Sequence, residues 1–517
     1  MAASDESLTM SQLGDAAISI DGRSLTIEDL VAVARHNKLA NLAPSARVAM
    51  EASRRMVEHI VATDRAVYGV TTGFGDLSMT NISSNDIRRL QQNLVRSHAV
   101  GAGSPFPSEI ARAIMLLQAN KLSIGCSGVS PDLPLLLLAC LSAGVHPVIP
   151  RQGSVGASGD LAPLAHVALV LIGEGEAEVE GKVLPGEDAL SSKGLHPVSL
   201  GPKEGLALLN GTEVSTAVAA LAVHDAANLL TTAIVAGAMS LEALRGSDVP
   251  FSQALQDVRP HPGQGYVARQ LRHLLRDSVI VASHTGSHKV QDPYSLRCMP
   301  QVIGASLDAV TYCKGVVETE LNSATDNPLF FPESEKVISG GNFHAQPIAL
   351  AMDFLKIAVA EIASMSERRI YLLLDATRSG LPAFLASKPG IESGLMITQN
   401  LAASLVSENK VLAHPASVDS IPTSGGMEDH VSMAPISARQ AAEVIGNTAR
   451  VLAVELLCAS QGLYLSEQLQ PGQGVAEALN EVRSLSPPLD TDRSTGKDIE
   501  VLARLVKSGA FRRLLED

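Results

Sequence analysis

The densest run of chemically suggestive residues is Gly153-Ser154-Val155-Gly156-Ala157-Ser158-Gly159-Asp160. Three glycines give it a backbone that can turn sharply and approach other groups closely. Three familiar uses of such a loop do not fit. A phosphate-cradling Walker loop needs Gly-Lys-Ser/Thr, and none follows. A dinucleotide fingerprint needs a tighter glycine spacing in a strand–helix–acid context, whereas these glycines fall three apart. The hydrolase elbow G-x-S-x-G is nearly matched, but Asp160 stands where the last glycine belongs. On spacing alone the run reads as a loop before a helix, with Asp160 at the N-cap.

A fourth reading uses Ala157-Ser158-Gly159 itself. A backbone that presses the Gly159 nitrogen onto the Ala157 carbonyl carbon can cyclise, and glycine allows that approach because it lacks Cβ. Ser158 then supplies a β-hydroxyl that can leave as water. The product is a 4-methylideneimidazol-5-one (MIO) ring, an electrophile that no ordinary side chain provides. With GSVGASGDLAPLAH (153–166) the chain resembles the histidine/phenylalanine ammonia-lyase family, whose prosthetic-group signature this is. The resemblance runs from Tyr68 to the C-terminal helices. It implies that the ring forms autocatalytically, with no external cofactor and no metal.

Other segments carry the same resemblance: YGVTTGFG (68–75), LLNGT (208–212), QDPYSLRC (291–298), TDNPL (325–329), GGNFH (340–344) and EDHVSM (428–433). It implies catalytic roles for Tyr68, Ala157, Ser158, Gly159, Asn210, Tyr294 and Glu428. It implies substrate-binding roles for His98, Gln291, Arg297 and Phe343. The residue types suit those roles. Arg297 offers a planar, permanently charged fork for a carboxylate. Tyr68 lies among glycines that would let it move over a site, and a polarised phenol can take a weakly acidic β-proton. Asn210 and Gln291 can donate to a developing oxyanion. Taken singly, a tyrosine is more often core packing and an arginine more often an ion-pair partner; it is the motifs that set these apart. His284 and His288 are four apart, but Thr-Gly-Ser lies between them and no further ligand is nearby, so they do not read as a metal site.

Within the resemblance, two places separate substrates. Ser97-His98 in QQNLVRSHAVGAG is similar to the pair in histidine users, where tyrosine users carry His then an apolar residue and phenylalanine users carry two apolar residues. Some tyrosine aminomutases share the Ser-His pair. Glu428 also matches histidine users, many others having Gln there. SENK (407–410) and HPASVDSIPTS (414–424) agree. Ser424-Gly425-Gly426-Met427 departs, since histidine users often read Ser-Ala-Asn-Gln. The resemblance thus implies elimination of ammonia from L-histidine to give trans-urocanate. The alternatives are a phenylalanine or tyrosine lyase, or an aminomutase, using the same ring. From a different class, the rival is a non-catalytic helical assembly protein, against which the intact Ala157-Ser158-Gly159 argues.

These residues need a scaffold, and the pattern predicts a mainly α one. AISIDGRSL alternates like a short strand and turns at Asp21-Gly22, and Thr26-Ile27-Glu28-Asp29 opens a helix with a capping box. Ser45 opens another, with Ala49, Ala52, Met56 and Ile60 as its apolar stripe. Pro131–Ile149 reads as a buried helix followed by a Pro-flanked turn. A strand pair is expected over Glu176–Leu184. Lys203–Asn210 leads into a long apolar helix, and Arg259–Gln291 reads as polar loop. Leu355, Val359, Ile362 and Met365 form one long stripe, and Ile445, Ala449, Leu452 and Leu456 another. No internal repeat or low-complexity tract appears. The expected division is a smaller mixed part over 1–201 and a long helical bundle over 202–517, with helix faces left for subunit contact.

Composition narrows the classes further. The 517 residues are 46% hydrophobic and 18% charged, which excludes a disordered chain. With nine Phe, six Tyr and no Trp, the core must be aliphatic, which suits close-packed helices. A net charge of −14 lowers the case for nucleic acid as partner. Five scattered cysteines without a CxxC read as reduced thiols. MAASDESLTM lacks the order of a signal peptide, and the apolar stretch Thr216–Met239 is broken by His224, Asp225 and Asn228. The expectation is a cytoplasmic protein with no membrane partner and a small amino-acid substrate. The family resemblance adds a homotetramer whose active sites combine residues of several subunits.

Overall fold

The computed structural model describes residues 17–63, 65–73, 80, 82–83, 85–283, 290–466 and 469–515. The protein is mainly α, as the apolar spacing predicts, and its strands are only three or four residues long. The first strand, Ile18–Ile20, lies parallel to Ala40–Leu42. Between them runs the helix Ile27–His36. Thr26 Oγ1 accepts the Asp29 N–H at 3.0 Å, and Asp29 Oδ2 accepts the Thr26 N–H at 3.3 Å. That reciprocal pair satisfies two of the orphan donors at the helix start.

Three local expectations are corrected. The second helix starts at Pro44, where a missing N–H costs nothing, and runs to Ala62. Its buried residues are Ala46, Met50, Ser53, Val57 and Ile60 rather than the Ala49–Met56 stripe. Val57 and Ile60 pack with Val67, Val70 and Phe330, and Met56 reaches that cluster only from its edge. The helix Asp132–Ala143 ends at Gly144, in a left-handed conformation at φ 73°. Where a turn was expected, Val145–Pro147 instead forms a strand beside Glu176–Val179, which pairs with Lys182–Pro185 as foreseen. Arg259–Gln291 holds a full helix, Pro262–Leu274, that buries Val267, Leu271 and Leu274. Its prolines and glycines obscure that apolar spacing. Gly263 packs so closely on the Gly304 carbonyl that any Cβ would collide.

The chain divides into two compact units, each drawn from three separate stretches. The first contains Met1–Leu221, Val316–Leu350 and Ala416–Ile436; the second contains Ala222–Gly315, Ala351–Pro415 and Ser437–Asp517. Four of the five breaks between them fall inside the long helices Glu213–Ala243, Met299–Leu321, Gln346–Leu374 and Ala434–Leu465, and the fifth, between Pro415 and Ala416, lies just past the helix Met396–Leu412. Glu213–Ala243 is the one helix among the described residues long and apolar enough to cross a membrane, but 83% of its most apolar window is buried inside the protein.

The second unit buries Leu355, Val359, Ile362, Ile445, Ala449, Leu452 and Leu456, while Met365 is half-buried. Among them lies a fully buried ion pair. Arg369 Nε and Nη2 donate to the two oxygens of Glu455 at 2.5 and 2.8 Å, and Ser240 Oγ adds a third donor at 2.7 Å. A buried charge is tolerated only when paired and hydrogen-bonded in this way.

Glu242, in the same unit, lacks such a cation. Burial pushes its carboxyl up to about 7, against the hydrogen bonds of the Ser278 side chain and the Gly472 N–H. A raised acid binds its proton more tightly folded than unfolded, so its stabilising contribution is greatest below the ordinary value of 4.5 and is lost as the pH climbs toward 7. Glu242→Gln keeps an oxygen for the Gly472 N–H but cannot ionise. Thermal unfolding of the variant should lose less stability between pH 5 and pH 7 than the wild type does. Equal slopes would mean that Glu242 is not held protonated.

Candidate active site

The loop Gly153–Asp160 is fixed from both ends. Ser154 Oγ donates to the Gly159 carbonyl at 3.2 Å and accepts the Gly156 N–H at 3.0 Å. Ser432 Oγ donates to the Gly156 carbonyl at 3.0 Å. Gly159 sits at φ 79° and forms an isolated parallel bridge with Gly211. A Cβ at Gly159 would run into the Gly211 backbone, so only glycine fits. Asp160 occupies the position before the helix Leu161–Leu171 but does not cap it. Its carboxylate instead accepts the Ser215 N–H at 2.8 Å and the Ser215 Oγ–H at 2.9 Å, near the start of the helix Glu213–Ala243. Full burial pushes its carboxyl up to about 7 despite those bonds. The residue read from sequence as a local cap thus joins two helix starts across 55 residues.

Ser158 meets Glu428 across the loop. Ser158 Oγ donates to Glu428 Oε1 at 2.9 Å. Thr423 Oγ1 and Ser424 Oγ both donate to Oε2, at 2.6 and 2.7 Å. Partial burial alone would raise the Glu428 pKa. The three hydroxyls and the charge of His98 outweigh it, and the carboxyl lies below its ordinary value. His98 closes the helix Ile87–His98. Its Nδ1 stands 2.9 Å from the Leu94 carbonyl oxygen, which can only accept. Nδ1 therefore carries the hydrogen, and in the neutral ring Nε2 is left as an acceptor.

Asn210 follows the short helix Glu204–Leu209 and is buried. Its Nδ2 donates to the Asn327 carbonyl at 3.0 Å, and its own carbonyl accepts from Lys121 Nζ at 2.5 Å. Lys121 is also paired with buried Glu213 at 3.2 Å. Asn327 links two motifs, since its Oδ1 accepts the Gly340 N–H at 2.9 Å in the loop that carries Phe343. Asn327 is anchored in turn by Asp326, whose Oδ1 takes the Asn327 N–H at 2.6 Å and whose carboxylate meets Lys203 Nζ at 2.7 Å. TDNPL thus gains a role in placing Asn210, and Lys121, Lys203, Thr423 and Ser424 join the site although no expectation from sequence marked them. Lys203 and Asp326 lie 123 positions apart, and a single sequence carries no signal that joins them.

Tyr68 is half-buried in a turn where the Val70 and Thr71 N–H groups both donate to the Val67 carbonyl, at 3.1 Å. Phe74 and Gly75 of the same motif lie outside the described residues, as do His284 and His288. Phe343 is half-buried. Gln291, Tyr294 and Arg297 belong to the second unit. Gln291 is exposed, and Tyr294 is 70% exposed. The Arg297 guanidinium lies 4.7 Å over the Tyr294 ring, and its Nε is buried without a hydrogen-bond partner among the described residues. Among the described residues no three His, Cys, Asp or Glu are grouped to hold a metal ion.

The helical fold, the glycine-crossed loop and the Ser158–Glu428 contact together define a helical scaffold that brings a small-residue loop against a carboxylate. The sequence profile described as aromatic amino acid lyase matches residues 25–484, and the chain belongs to that family, which is the MIO-dependent class. A protein of Gloeobacter violaceus named histidine ammonia-lyase is 53% identical over 498 residues, 96% of this chain and 97% of that one. One of the same name from Anaeromyxobacter dehalogenans is 52% identical over 501 residues, 95% and 99% of the two chains. Among solved structures, histidine ammonia-lyase from Trypanosoma cruzi superposes with a TM-score of 0.90 at 42% identity, covering 96% of this chain and 95% of that one. Tyrosine aminomutase from Streptomyces globisporus gives 0.91 at 38% identity, with 96% and 98% covered.

The Lys203–Asp326 pair offers a direct test of how the Asn210 side of the site is held. Both side chains are fully buried. Lys203→Met removes the cation and strands the carboxylate, a loss of about 3–5 kcal/mol. The variant should show a thermal midpoint several degrees lower. A midpoint within one degree of wild type would show that Asp326 finds other compensation.

Proposed function

We infer that the chain eliminates ammonia from L-histidine to give trans-urocanate, at an MIO ring made from its own Ala157, Ser158 and Gly159. The observation that carries this reading is the cluster of Ser158, Glu428 and His98 in one unit, with Glu428 held ionised beside an imidazole. A wall of that kind suits a substrate with ring nitrogens. A phenyl ring would leave a carboxylate and an imidazole without partners, at roughly 1–3 kcal/mol for each group. The names of the relatives above support the same substrate. Met427, which departs from the usual pattern, is an exposed side chain.

The local backbone suits ring formation. Closing a bond from Gly159 N to the Ala157 carbonyl carbon expels the Ala157 oxygen with the amide hydrogens of Ser158 and Gly159. Ser158 Oγ then leaves as a second water with the hydrogen of its own Cα. The tight Gly159–Gly211 approach leaves room for no side chain at the attacking residue. Once formed, the ring supplies an electrophilic carbon. The chain's own groups do the rest. Tyr68 takes the β-proton of the substrate, and Asn210 uses its remaining amide hydrogen to steady charge on the ring oxygen. Glu428 accepts from the substrate ammonium or imidazole, His98 hydrogen-bonds a ring nitrogen of the substrate through Nε2, and Phe343 lines the pocket.

Arg297 binds the substrate carboxylate, with Gln291 and Tyr294 beside it, and these three complete the site of a neighbouring subunit. An incompletely partnered guanidinium next to an exposed tyrosine supports that arrangement. So do Tyr312, Phe354, Ile357 and Tyr371, large exposed apolar side chains of the second unit. The assembly proposed is a homotetramer. The setting proposed is the cytoplasm, in keeping with five free cysteines, three of which (Cys140, Cys313 and Cys458) have thiols pushed up to about 12 by burial.

Two variants test the reading. Ser158→Ala cannot lose the second water, so its intact mass should lack the full two-water deficit expected of the wild type, and urocanate production should vanish. Wild-type turnover in Ser158→Ala would overturn the ring. His98→Leu should lower the ratio of specificity constants for L-histidine over L-phenylalanine by roughly 5–150-fold, since one ring nitrogen loses its partner. An unchanged ratio would mean that His98 does not read the substrate ring.

A further inference from the structure

The loop that carries Glu428 is built in a strained form. Thr423 and Glu428 pair as an antiparallel bridge, with the Thr423 N–H donating to the Glu428 carbonyl at 3.0 Å. Between them Ser424, Gly425 and Gly426 all take positive φ, at 51°, 65° and 92°. The glycines bear this freely, but Ser424 pays for a left-handed backbone that residues with a Cβ rarely adopt. In return its hydroxyl reaches Glu428 Oε2 at 2.7 Å, the same oxygen that Thr423 Oγ1 holds at 2.6 Å. Strain maintained where a side chain meets a functional group points to work for that side chain.

The two carboxylate oxygens are served differently. Oε2 takes Thr423 and Ser424, while Oε1 takes only the Ser158 hydroxyl among the described residues. That hydroxyl is the one that leaves when the ring closes. We propose that Thr423 and Ser424 are positioning residues for Glu428: they occupy Oε2, so that Oε1, freed when Ser158 loses its oxygen, is the atom that meets the substrate. This rests on the proposed function. The titratable group that acts on Glu428 from another element is His98; Asp429 and His430 follow it in its own loop, and His430 stacks on His344 at 5.9 Å.

The sign follows from the hydroxyls. Each donates to the charged form, so removing one raises the pKa at which Glu428 takes up a proton. The acid limb of the pH profile must then move to higher pH. The experiment measures kcat/KM for L-histidine against pH in the wild-type enzyme, Thr423→Val, Ser424→Ala, the double variant, Thr423→Ser and Glu428→Gln. Intact mass confirms the loss of two waters in each. The limb should rise by roughly half to one pH unit per hydroxyl removed and by more in the double variant. Thr423→Ser should keep the wild-type limb, and Glu428→Gln should lack it. If Ser424→Ala folds poorly, Ser424→Gly relieves the backbone while still removing the hydroxyl, and the same upward shift is expected. A double variant with normal ring mass and an unshifted limb overturns the proposal, as does a Glu428→Gln enzyme that keeps the limb. A wild type that forms no urocanate fails at the earlier step and overturns the proposed function itself.

Discussion

The close parallel approach of Gly159 to Gly211 is the constraint on which the rest of the site depends. It brings the Ala157–Gly159 loop and the Asn210 segment to one place, and the Asp160 N–H seals it on the Gly211 carbonyl at 2.7 Å. The approach has no room for a Cβ, and both glycines sit at positive φ, 79° and 138°. Such a contact is not favourable by itself. It persists because Asp160 grips Ser215 and because Lys121 grips Asn210 from behind. The helices Leu161–Leu171 and Glu213–Ala243 both begin just after this crossing, so their packing holds the geometry indirectly.

Around the crossing the protein spends buried charge. Lys121–Glu213 and Lys203–Asp326 lie out of water in the first unit, and each has hydrogen bonds beyond the pair itself, Lys121 to the Ala207 carbonyl, Glu213 from Thr325 and Asp326 from the Asn327 N–H. Replacing such pairs with apolar residues of similar shape is often neutral or stabilising. Their presence here is better explained by register. Each ties a loop bearing a site residue to an element distant in sequence, and an apolar contact, being non-directional, would fix neither the Asn210 carbonyl nor the Asn327 backbone.

Much of the chemistry was legible in the chain because it lies in contiguous motifs. Ala157-Ser158-Gly159 carries the resemblance from which the ring is proposed, and Glu428 and Ser97-His98 carry the proposal of a polar pocket. The capping box at Thr26 and the stripes at Leu355 and Ile445 were legible because helices repeat locally. What escaped is non-local or is hidden by composition. Lys203 looks like a surface lysine until Asp326 arrives. Asp160 looks like a cap for its own helix until Ser215 is found. Pro262–Leu274 hides a helix behind prolines and glycines, and the Ala46–Ile60 face differs from the expected stripe because tertiary packing chose between two adjacent apolar rows. Each compact unit gathers three stretches of chain, and most of the breaks between them fall within helices, where composition carries no signal of a boundary.

The proposed pairing of a self-made electrophile with a pocket suited to an imidazole makes substrate choice decisive. The most direct measurement offers the purified protein L-histidine, L-tyrosine and L-phenylalanine separately and compares kcat/KM, with product identified in each case. L-Histidine should show the highest constant and give trans-urocanate with release of ammonia. A higher constant for L-tyrosine or L-phenylalanine, or a β-amino acid as the main product, would contradict it.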